Sequence, residues 1–572
     1  MRIYHILCEC YLLDMFKLVL ALLLGSLAAM PQTHQHTTPD SSPVDLAKVP
    51  APQHLDGIGQ SHIPITTKSP EAQQWFDQGL ALLHCFWDYE ALRSFEQAVR
   101  LDPDCAMCHW GLSQALDFNP ANHEQANAEL KKASELAENA SDHEQRYIRA
   151  YSEQAEKHGP ESEAAFTKGM ESLIAHYPDD LEAKLLLAGH LISGYDSKGD
   201  PLPGMLYGQA MLRDLLHEYP QNAAANHYWI HAVEPGDHPE WALESAEKLG
   251  KLTPASGHMV HMPGHIYFRV GDYERARQVF LDALRVDRDY MDRQHVSVRD
   301  DWNYMHNLAY LIADCAEEGR YREAREHLGT LAALPADLGN PGFFLQIGGT
   351  AIRLAMRFGN WEDVRDLASA AAAPDEKPSV LVQGYRDLTA AYARGMKAVE
   401  SGQLAEAEAK SNLLDALLWR LSREDVGDKN KGIRDRVVNN LATASLELRG
   451  HIAGEQGKFD DMRKLLEDAV EREKQLGYAE PPLYSRPALE SLGHAFIRAA
   501  KYADARDAFE HELHERPRSG FALYGIALAW DKEGKHGEAA KAYRTFLDAW
   551  PHADPNLPQI KAAQAYLASP AH

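Results

Sequence analysis

The sequence predicts an all-α protein, a right-handed superhelical solenoid built from helix hairpins. Two observations predict it: the same intervals between glycine, alanine and phenylalanine recur along the chain, and no stretch alternates with the period of two that strands require. At 572 residues the chain is also too long for one globular core. Stacked hairpins avoid that limit because each buries its apolar face against its neighbours, leaving a curved, concave surface.

The repeated interval is clearest in three segments. In each, an alanine follows a glycine after 12 residues and a phenylalanine comes four residues later: Gly79, Ala91 and Phe95; Gly264, Ala276 and Phe280; Gly493, Ala505 and Phe509. Ala539 lies 34 residues after Ala505, which is the tetratricopeptide period. Glycine-led turn signals recur in register at Gly271, Gly319, Gly359, Gly457 and Gly534. We therefore expect roughly ten tetratricopeptide-type hairpins between residues 70 and 550.

Charge and the N-terminal segment predict an exported protein that does not bind nucleic acid. Asp and Glu total 84 against 58 Lys and Arg, and no basic stripe offsets the resulting repulsion of phosphates. The apolar run Leu18–Ala29 has the length of a signal-peptide core and is too short to span a bilayer. We expect a leader at 1–29 with Met15 as the true start, a mature protein without a membrane span, and a periplasmic or extracellular location.

The remaining chain divides by composition. Residues 30–68 are rich in Pro, Thr, Ser and His without periodicity, which predicts a disordered linker. The predicted segments after it are N-terminal repeats at 69–256, central histidine-rich repeats at 257–338, C-terminal repeats at 339–555 and a tail at 556–572.

Five motifs are more specific than the generic repeat. They are Asp104–Gly111, His227–Glu234, Gly257–Tyr267, Met305–Leu308 and Glu480–Tyr484. Through these motifs the chain resembles a group of bacterial tetratricopeptide proteins of unassigned activity, over most of residues 70–555. The resemblance implies the repeat fold and supplies no reaction.

The histidines are the main candidates for functional residues in this sequence. Two sets recur at helical spacing, so that each set shares one helix face. The sets are His227, His231 and Glu234, on a helix beginning near Ala223, and His258, His261 and His265, on a helix beginning near Gly257. Both helices are predicted to be the first of their hairpins and to face the concave groove. His306, on the next first helix, points at the same region.

These histidines predict a metal site in the groove. Packed helices lie about 8–10 Å apart, so imidazoles from both can reach one ion. The predicted main ligands are His227, His231, His261 and His265, with His258, His306 and Glu234 as alternates or outer partners. An imidazole-rich set without thiolate favours Zn, Cu, Ni or Fe. Predicted groove contacts around the cluster are Tyr228, Trp229, Tyr267 and Arg269. A polar groove for an anion or peptide, and structural hydrogen bonding, remain as alternatives.

A second motif has three interpretations. Cys105, Cys108 and His109 match C-x-x-C-H, the attachment signal of a c-type haem. The same residues open a predicted repeat helix, which explains them without haem. Plain helix packing is therefore favoured, a thiol pair or disulfide comes next, and haem comes last.

Two functional classes follow from these features. The favoured one is a binding scaffold whose groove takes a peptide or protein. The alternative is a metal-dependent enzyme whose ion keeps an open coordination position. The chain has no His-Glu-x-x-His zinc motif, Gly-x-Ser-x-Gly nucleophile motif, phosphate-binding glycine loop or dinucleotide fingerprint.

Overall fold

Helices make up almost all of the regular structure. The computed structural model describes residues 43–196, 198–334, 340–370 and 377–569. The predicted leader at 1–29 lies outside them, so export stays a prediction. Within the described residues there is no strand, only an isolated bridge between Tyr195 and Pro201. None of the described helices combines the length and apolar character needed to cross a membrane.

Consecutive helices pack as hairpins, which confirms the predicted all-α helical-repeat solenoid. A π-helical turn, Phe344–Gly348, connects the short helix Pro341–Phe343 to the helix Thr350–Arg357. The helices are α1 (Pro70–His84), α2 (Asp88–Leu101), α3 (Ala106–Asp117), α4 (His123–Leu136), α5 (Asp142–Ala155), α6 (Pro160–His176), α7 (Leu181–Leu191), α8 (Met205–Glu218), α9 (Ala223–Val233), α10 (Leu243–Leu252), α11 (Gly257–Arg269), α12 (Tyr273–Gln294), α13 (Trp302–Glu317), α14 (Tyr321–Ala332), α15 (Pro341–Phe343), α16 (Thr350–Arg357), α17 (Trp361–Ser369), α18 (Val380–Glu400), α19 (Leu404–Ser422), α20 (Lys431–Glu455), α21 (Phe459–Lys474), α22 (Ala488–Arg498), α23 (Tyr502–Glu515), α24 (Gly520–Lys532), α25 (His536–Ala549) and α26 (Pro558–Ala568).

The repeated glycine and phenylalanine interlock inside the hairpins as the spacing predicts. A Cβ atom on Gly264 would lie 2.3 Å from Cε1 of Phe280, and one on Gly493 would lie 2.6 Å from Cζ of Phe509. Only glycine therefore lets the second helix approach this closely. The glycine-led turns also match the prediction, because all five glycines have φ between +66° and +78°, where a Cβ atom is strained.

The C-terminal repeats fold back onto the central ones. The indole Nε1 of Trp550 donates to the carbonyl oxygen of Glu317 at 2.7 Å, and the Tyr273 hydroxyl donates to that of Pro517 at 3.2 Å. Arg357 joins the two regions by ion pairs with Glu317 and Glu490, both at 2.7 Å. These contacts connect repeats that are distant in the sequence, so much of the inner surface near the centre is covered.

Residues 43–68 differ from the predicted disordered linker. Ile58 and Ile63 are buried, and the guanidinium of Arg93 donates to the carbonyl oxygens of Pro50 and Ala51. Apolar residues in this segment pack against α1 and its neighbours, which composition alone did not reveal. One apolar core runs from Val49 to Leu354, across the predicted boundary at residue 256, and that boundary stays a prediction. The predicted tail contains helix α26.

Acid should weaken the C-terminal repeats through His451. This side chain is 1% exposed, and burial lowers its pKa from 6.5 to about 4. The folded state therefore favours neutral imidazole, and the resulting stability is complete above pH 6.5 and lost as pH falls towards 4. The charged or titratable groups facing it are Glu447, Arg486, His494 and Arg498.

Replacing His451 removes this acid sensitivity. Between about pH 7.5 and about pH 5, urea denaturation of His451→Gln should show about 2 kcal/mol less loss of unfolding free energy than the wild type. His511→Gln, at an exposed position on α23, should behave as the wild type does. An equal pH dependence in both variants would contradict the assignment to His451.

Candidate metal centre

Helices α9, α11 and α13 place the histidines beside one another. The Asn222 side chain caps α9 by accepting a hydrogen bond from the Ala225 amide, and Ser256 caps α11 through the Met259 amide. Asn and Ser are favoured at such positions because their oxygens satisfy amides that the helix leaves unpaired. Each helix therefore starts where the spacing predicted, and histidines one turn apart share a face.

The histidines are buried, whereas the sequence predicts that they line the concave groove. His227, His261 and His265 are 0% exposed. His231 and His258 are also buried, and His306 is half-buried. Both α9 and α11 are enclosed on nearly every side, because the α1–α2 turn and the 478–484 segment cover the face that an isolated solenoid would leave open.

Three histidines form the first triad, His227, His231 and His258. The Nε2 atom of His227 lies 3.0 Å from Nε2 of His231 and 3.1 Å from Nε2 of His258. Ligands on a tetrahedral ion with bonds of about 2.0–2.1 Å are separated by about 3.3 Å. Both separations from His227 are therefore within a few tenths of an ångström of the spacing of ligands on one ion, and the three ligand atoms all lie within 4.8 Å of one another.

The second triad is His261, His265 and His306. Nε2 of His261 lies 2.6 Å from Nε2 of His265, and the ligand atoms of all three residues lie within 4.8 Å of one another. The close pair would have to open by about 0.7 Å to bind one tetrahedral ion. Tyr310 packs against this triad, with its ring centroid 4.6 Å from that of His265.

Glu234 contacts both triads through their outer nitrogens. Its Oε1 lies 3.0 Å from Nδ1 of His231, and its Oε2 lies 2.8 Å from Nδ1 of His265. A carboxylate that accepts a hydrogen bond from Nδ1–H favours the tautomer whose Nε2 keeps its lone pair, which is the form that binds a metal through Nε2. Burial raises the pKa of Glu234 to about 7. Glu480 approaches the same point, 3.4 Å from Nδ1 of His265.

Two other histidines are oriented in the same way. Nδ1 of His227 donates to the carbonyl oxygen of His84 at 2.7 Å, and a carbonyl can only accept. Nδ1 of His261 lies 2.8 Å from Oδ1 of Asn307, whose amide nitrogen already donates to the Phe280 carbonyl. Both histidines therefore turn Nε2 lone pairs inward.

His258 follows the same pattern with a longer contact. Its Nδ1 lies 3.4 Å from Oδ1 of Asn303, whose amide nitrogen donates to Asp287.

Burial lowers the pKa of His265, and burial together with the charges of His265 and His306 lowers that of His261. Neutral imidazole is the form that coordinates a metal.

The structure groups the predicted ligands differently from the sequence analysis. The four predicted main ligands fall into two pairs, one in each triad, and His258 and His306 complete the triads instead of serving as alternates. Glu234 lies at the Nδ1 atoms of His231 and His265, and the roles of these residues at a metal stay predictions.

Of the four predicted contact residues, two lie near the histidine cluster and two make their described contacts elsewhere. Tyr228 and Arg269 lie near the cluster: the Tyr228 hydroxyl is 2.8 Å from Nδ1 of His84, and Arg269 donates to the Glu234 carbonyl. Trp229 donates to the Trp241 carbonyl, and Tyr267 packs under Arg275, so neither contacts a histidine through these interactions.

Phe86 is a site residue that the sequence did not indicate. It lies in the turn between α1 and α2 with φ of 52°, a region that non-glycine residues rarely adopt. Its ring centroid lies 4.7, 5.4 and 5.7 Å from those of His227, His231 and His258. Phe86 therefore covers the first triad. No sequence pattern indicates Asn303 as a site residue, and Glu480 is indicated only as part of the motif Glu480–Tyr484.

The C-x-x-C-H motif does not fit haem attachment. Cys105 and Cys108 are joined in a disulfide and both are buried, whereas haem attachment uses both sulfurs. Both ring nitrogens of His109 have partners, Glu129 at 2.6 Å and the Pro103 carbonyl at 3.0 Å. Of the three interpretations, the disulfide matches the structure.

Comparisons with known proteins give only distant likenesses over the whole chain. No curated protein matches the chain. Solved structures that resemble it include yeast Tom70, at 14% identity, a TM-score of 0.28 and coverage of 86% of this chain and 95% of that one. The human IFIT1 dimer with m7Gppp-AAAA matches at 15% identity, a TM-score of 0.31 and coverage of 85% and 91%. At these scores the likenesses carry no argument about function.

Two segments match family models that are described as tetratricopeptide repeats. They are residues 259–290, which span α11 and α12, and residues 491–554, which span the last hairpins. The first match contains two of the six triad histidines, His261 and His265, since the triads also draw on α9, α13 and the first turn of α11. The chain is therefore a helical solenoid that contains tetratricopeptide repeats in these two segments.

Proposed function

We propose that the chain is an exported tetratricopeptide-repeat scaffold that binds a transition metal through the histidines of α9, α11 and α13. One observation carries the proposal: five buried imidazoles turn their Nδ1 atoms to oxygen acceptors and their Nε2 atoms towards one another. The Nε2 contacts are 2.6–3.1 Å long, and two lone pairs facing each other at such distances repel unless a proton or a metal ion lies between them. Imidazole ligands suit Zn, Cu, Ni or Fe.

The scaffold part of the proposal rests on the repeats and on a cleft beside them. Repeat solenoids characteristically use extended surfaces to bind peptides or proteins. A cleft of about 1140 Å³ lies between residues 55–64 and the region 176–182. Asp77, Asp179 and His143 are among its lining residues, which suits a polar peptide.

Export rests on the apolar run Leu18–Ala29 and is supported by the disulfide between Cys105 and Cys108. Disulfides persist mainly in oxidising compartments outside the cytoplasm.

Metal content tests the central claim. We expect the double variant His231→Gln and His265→Gln to lose stoichiometric metal, because each triad loses one ligand. The matched control, His511→Gln with His514→Gln, removes two exposed histidines and should retain the wild-type content. Elemental analysis after dialysis measures the difference, and circular dichroism checks helicity. Equal metal in both double variants would rule out this site.

A metal-dependent enzyme is the second candidate, and the ligand number favours it. Catalytic zinc sites commonly have three protein ligands and keep a position for water or substrate, whereas structural sites have four. Each triad supplies three imidazoles. Adding azide to the cobalt-loaded protein should change its visible spectrum if such a position exchanges, and an unchanged spectrum would favour the scaffold without catalysis.

A further inference from the structure

The two triads repeat one structural plan. In each, two histidines lie one turn apart on one helix, and the third comes from the first helix of the next hairpin. Helix α9 supplies the pair of the first triad and α11 completes it. Helix α11 also supplies the pair of the second triad, which α13 completes. The plan therefore advances by one repeat along the solenoid.

We propose that each triad binds its own transition-metal ion, so that the chain holds two ions whose outer hydrogen bonds meet at Glu234. This rests on the proposed function, since it requires that the histidines bind metal. The Nε2 atom of His227 lies 3.0 and 3.1 Å from those of its two triad partners, and those of His261 and His265 lie 2.6 Å apart, against about 3.3 Å for two ligands on one tetrahedral ion. The rings of His258 and His261, from different triads, have centroids 6.2 Å apart.

A single ion shared by both triads conflicts with how the imidazoles are held. Such an ion would have to draw the His227–His231 pair and the His261–His265 pair away from their own partners. Turning His227 breaks its bond to the His84 carbonyl, and turning His261 breaks its bond to Asn307. These bonds hold each pair within its triad, so two ions fit the present side-chain positions and one shared ion does not.

Glu234 links the triads because each of its oxygens serves one of them. Oε1 faces His231 of the first triad, and Oε2 faces His265 of the second. A glutamine here offers one oxygen and one amide group. The histidine facing the amide must accept a hydrogen bond at Nδ1, which moves its proton to Nε2 and blocks coordination. The Glu234→Gln variant therefore distinguishes a carboxylate that hydrogen-bonds to both triads from one that hydrogen-bonds to a single triad.

Cobalt titration of the full chain tests the two-ion proposal. After chelator treatment, Co(II) alone is added, and visible absorption and calorimetry report binding. We expect the wild type to saturate at two equivalents. His258→Gln, which lacks a ligand of the first triad, and His306→Gln, which lacks one of the second, should each saturate tightly at one equivalent. His511→Gln should match the wild type.

The outcomes separate this proposal from the proposed function. Saturation of the wild type at one equivalent would overturn the two-ion proposal and leave a metal-binding scaffold. No binding by the wild type would overturn both. Two tight equivalents in both single variants would also reject the triads as ligands. If a variant loses helicity, the wild-type stoichiometry still decides.

Glu234→Gln provides the second measurement. We expect one cobalt site to keep its affinity and the other to weaken by about 10–100-fold, as is typical when an outer partner is lost. Equal affinities at both sites, unchanged from the wild type, would show that Glu234 does not link them.

Discussion

Replacing Arg357 with methionine should destabilise the protein by about 3–5 kcal/mol, the usual result of removing one partner from a buried ion pair. Arg357 is 6% exposed. Its Nε and Nη2 atoms donate to the carboxylate of Glu317, and its Nη1 and Nη2 atoms donate to that of Glu490. Without it, the two buried carboxylates lose the guanidinium that forms an ion pair with both of them. Because Glu490 belongs to α22 and Glu317 to α13, the C-terminal repeats should detach first.

Arg463→Met is the matched control. The Arg463 side chain is 45% exposed and lies 3.1 Å from Asp504. Exposed pairs of this kind contribute about 0–1 kcal/mol. Urea denaturation should therefore separate the two variants clearly, and limited proteolysis should cut Arg357→Met near the C-terminal repeats. Similar losses of stability in both variants would contradict the role assigned to Arg357.

Gly271→Ala should be the second most damaging change, because it acts where the solenoid closes on itself. Gly271 has φ of +77°, and a Cβ atom there would lie 2.2 Å from the carbonyl oxygen of Pro517. Backbone cannot move aside as a flexible side chain can, so α12 and the segment after α23 must separate. We expect the free energy of unfolding to fall by about 2–5 kcal/mol, because the left-handed conformation of alanine and the overpacking against Pro517 both destabilise the folded state.

Gly457→Ala isolates the conformational part of that effect. Gly457 has φ of +74° and nothing within 4 Å of its added Cβ atom. Its replacement should lower the free energy of unfolding by about 1–2 kcal/mol and leave the radius of gyration unchanged. Small-angle scattering should show expansion for Gly271→Ala only. Equal stabilities and equal radii for the two variants would mean that the contact with Pro517 does not hold the repeats together.

Closure of the solenoid also determines the surroundings of the histidines. Glu480, between α21 and α22, lies 3.4 Å from Nδ1 of His265. Arg269 lies 5.8 Å from the ring centroid of Tyr478, in the same segment. The face of α11 that an open solenoid would expose to solvent is thereby buried against residues about 215 positions later in the chain.

The sequence predicted the hairpins because their rules are local. The spacing of Gly264, Ala276 and Phe280 specifies a close contact within one hairpin, and the turn glycines specify where its second helix begins. Helical spacing likewise placed His227 with His231 and His261 with His265. These relations depend on the rise and twist of a single helix, so the residues alone were enough to predict them.

Grouping and burial of the histidines were decided only by the tertiary structure. Helical spacing cannot show which pair His258 or His306 completes, because that depends on how α9, α11 and α13 lie against one another. It also cannot show that Phe86 covers one triad or that Glu480 reaches the other. Those contacts join residues far apart in the sequence, and their geometry is set by the summed packing of many hairpins rather than by any local pattern.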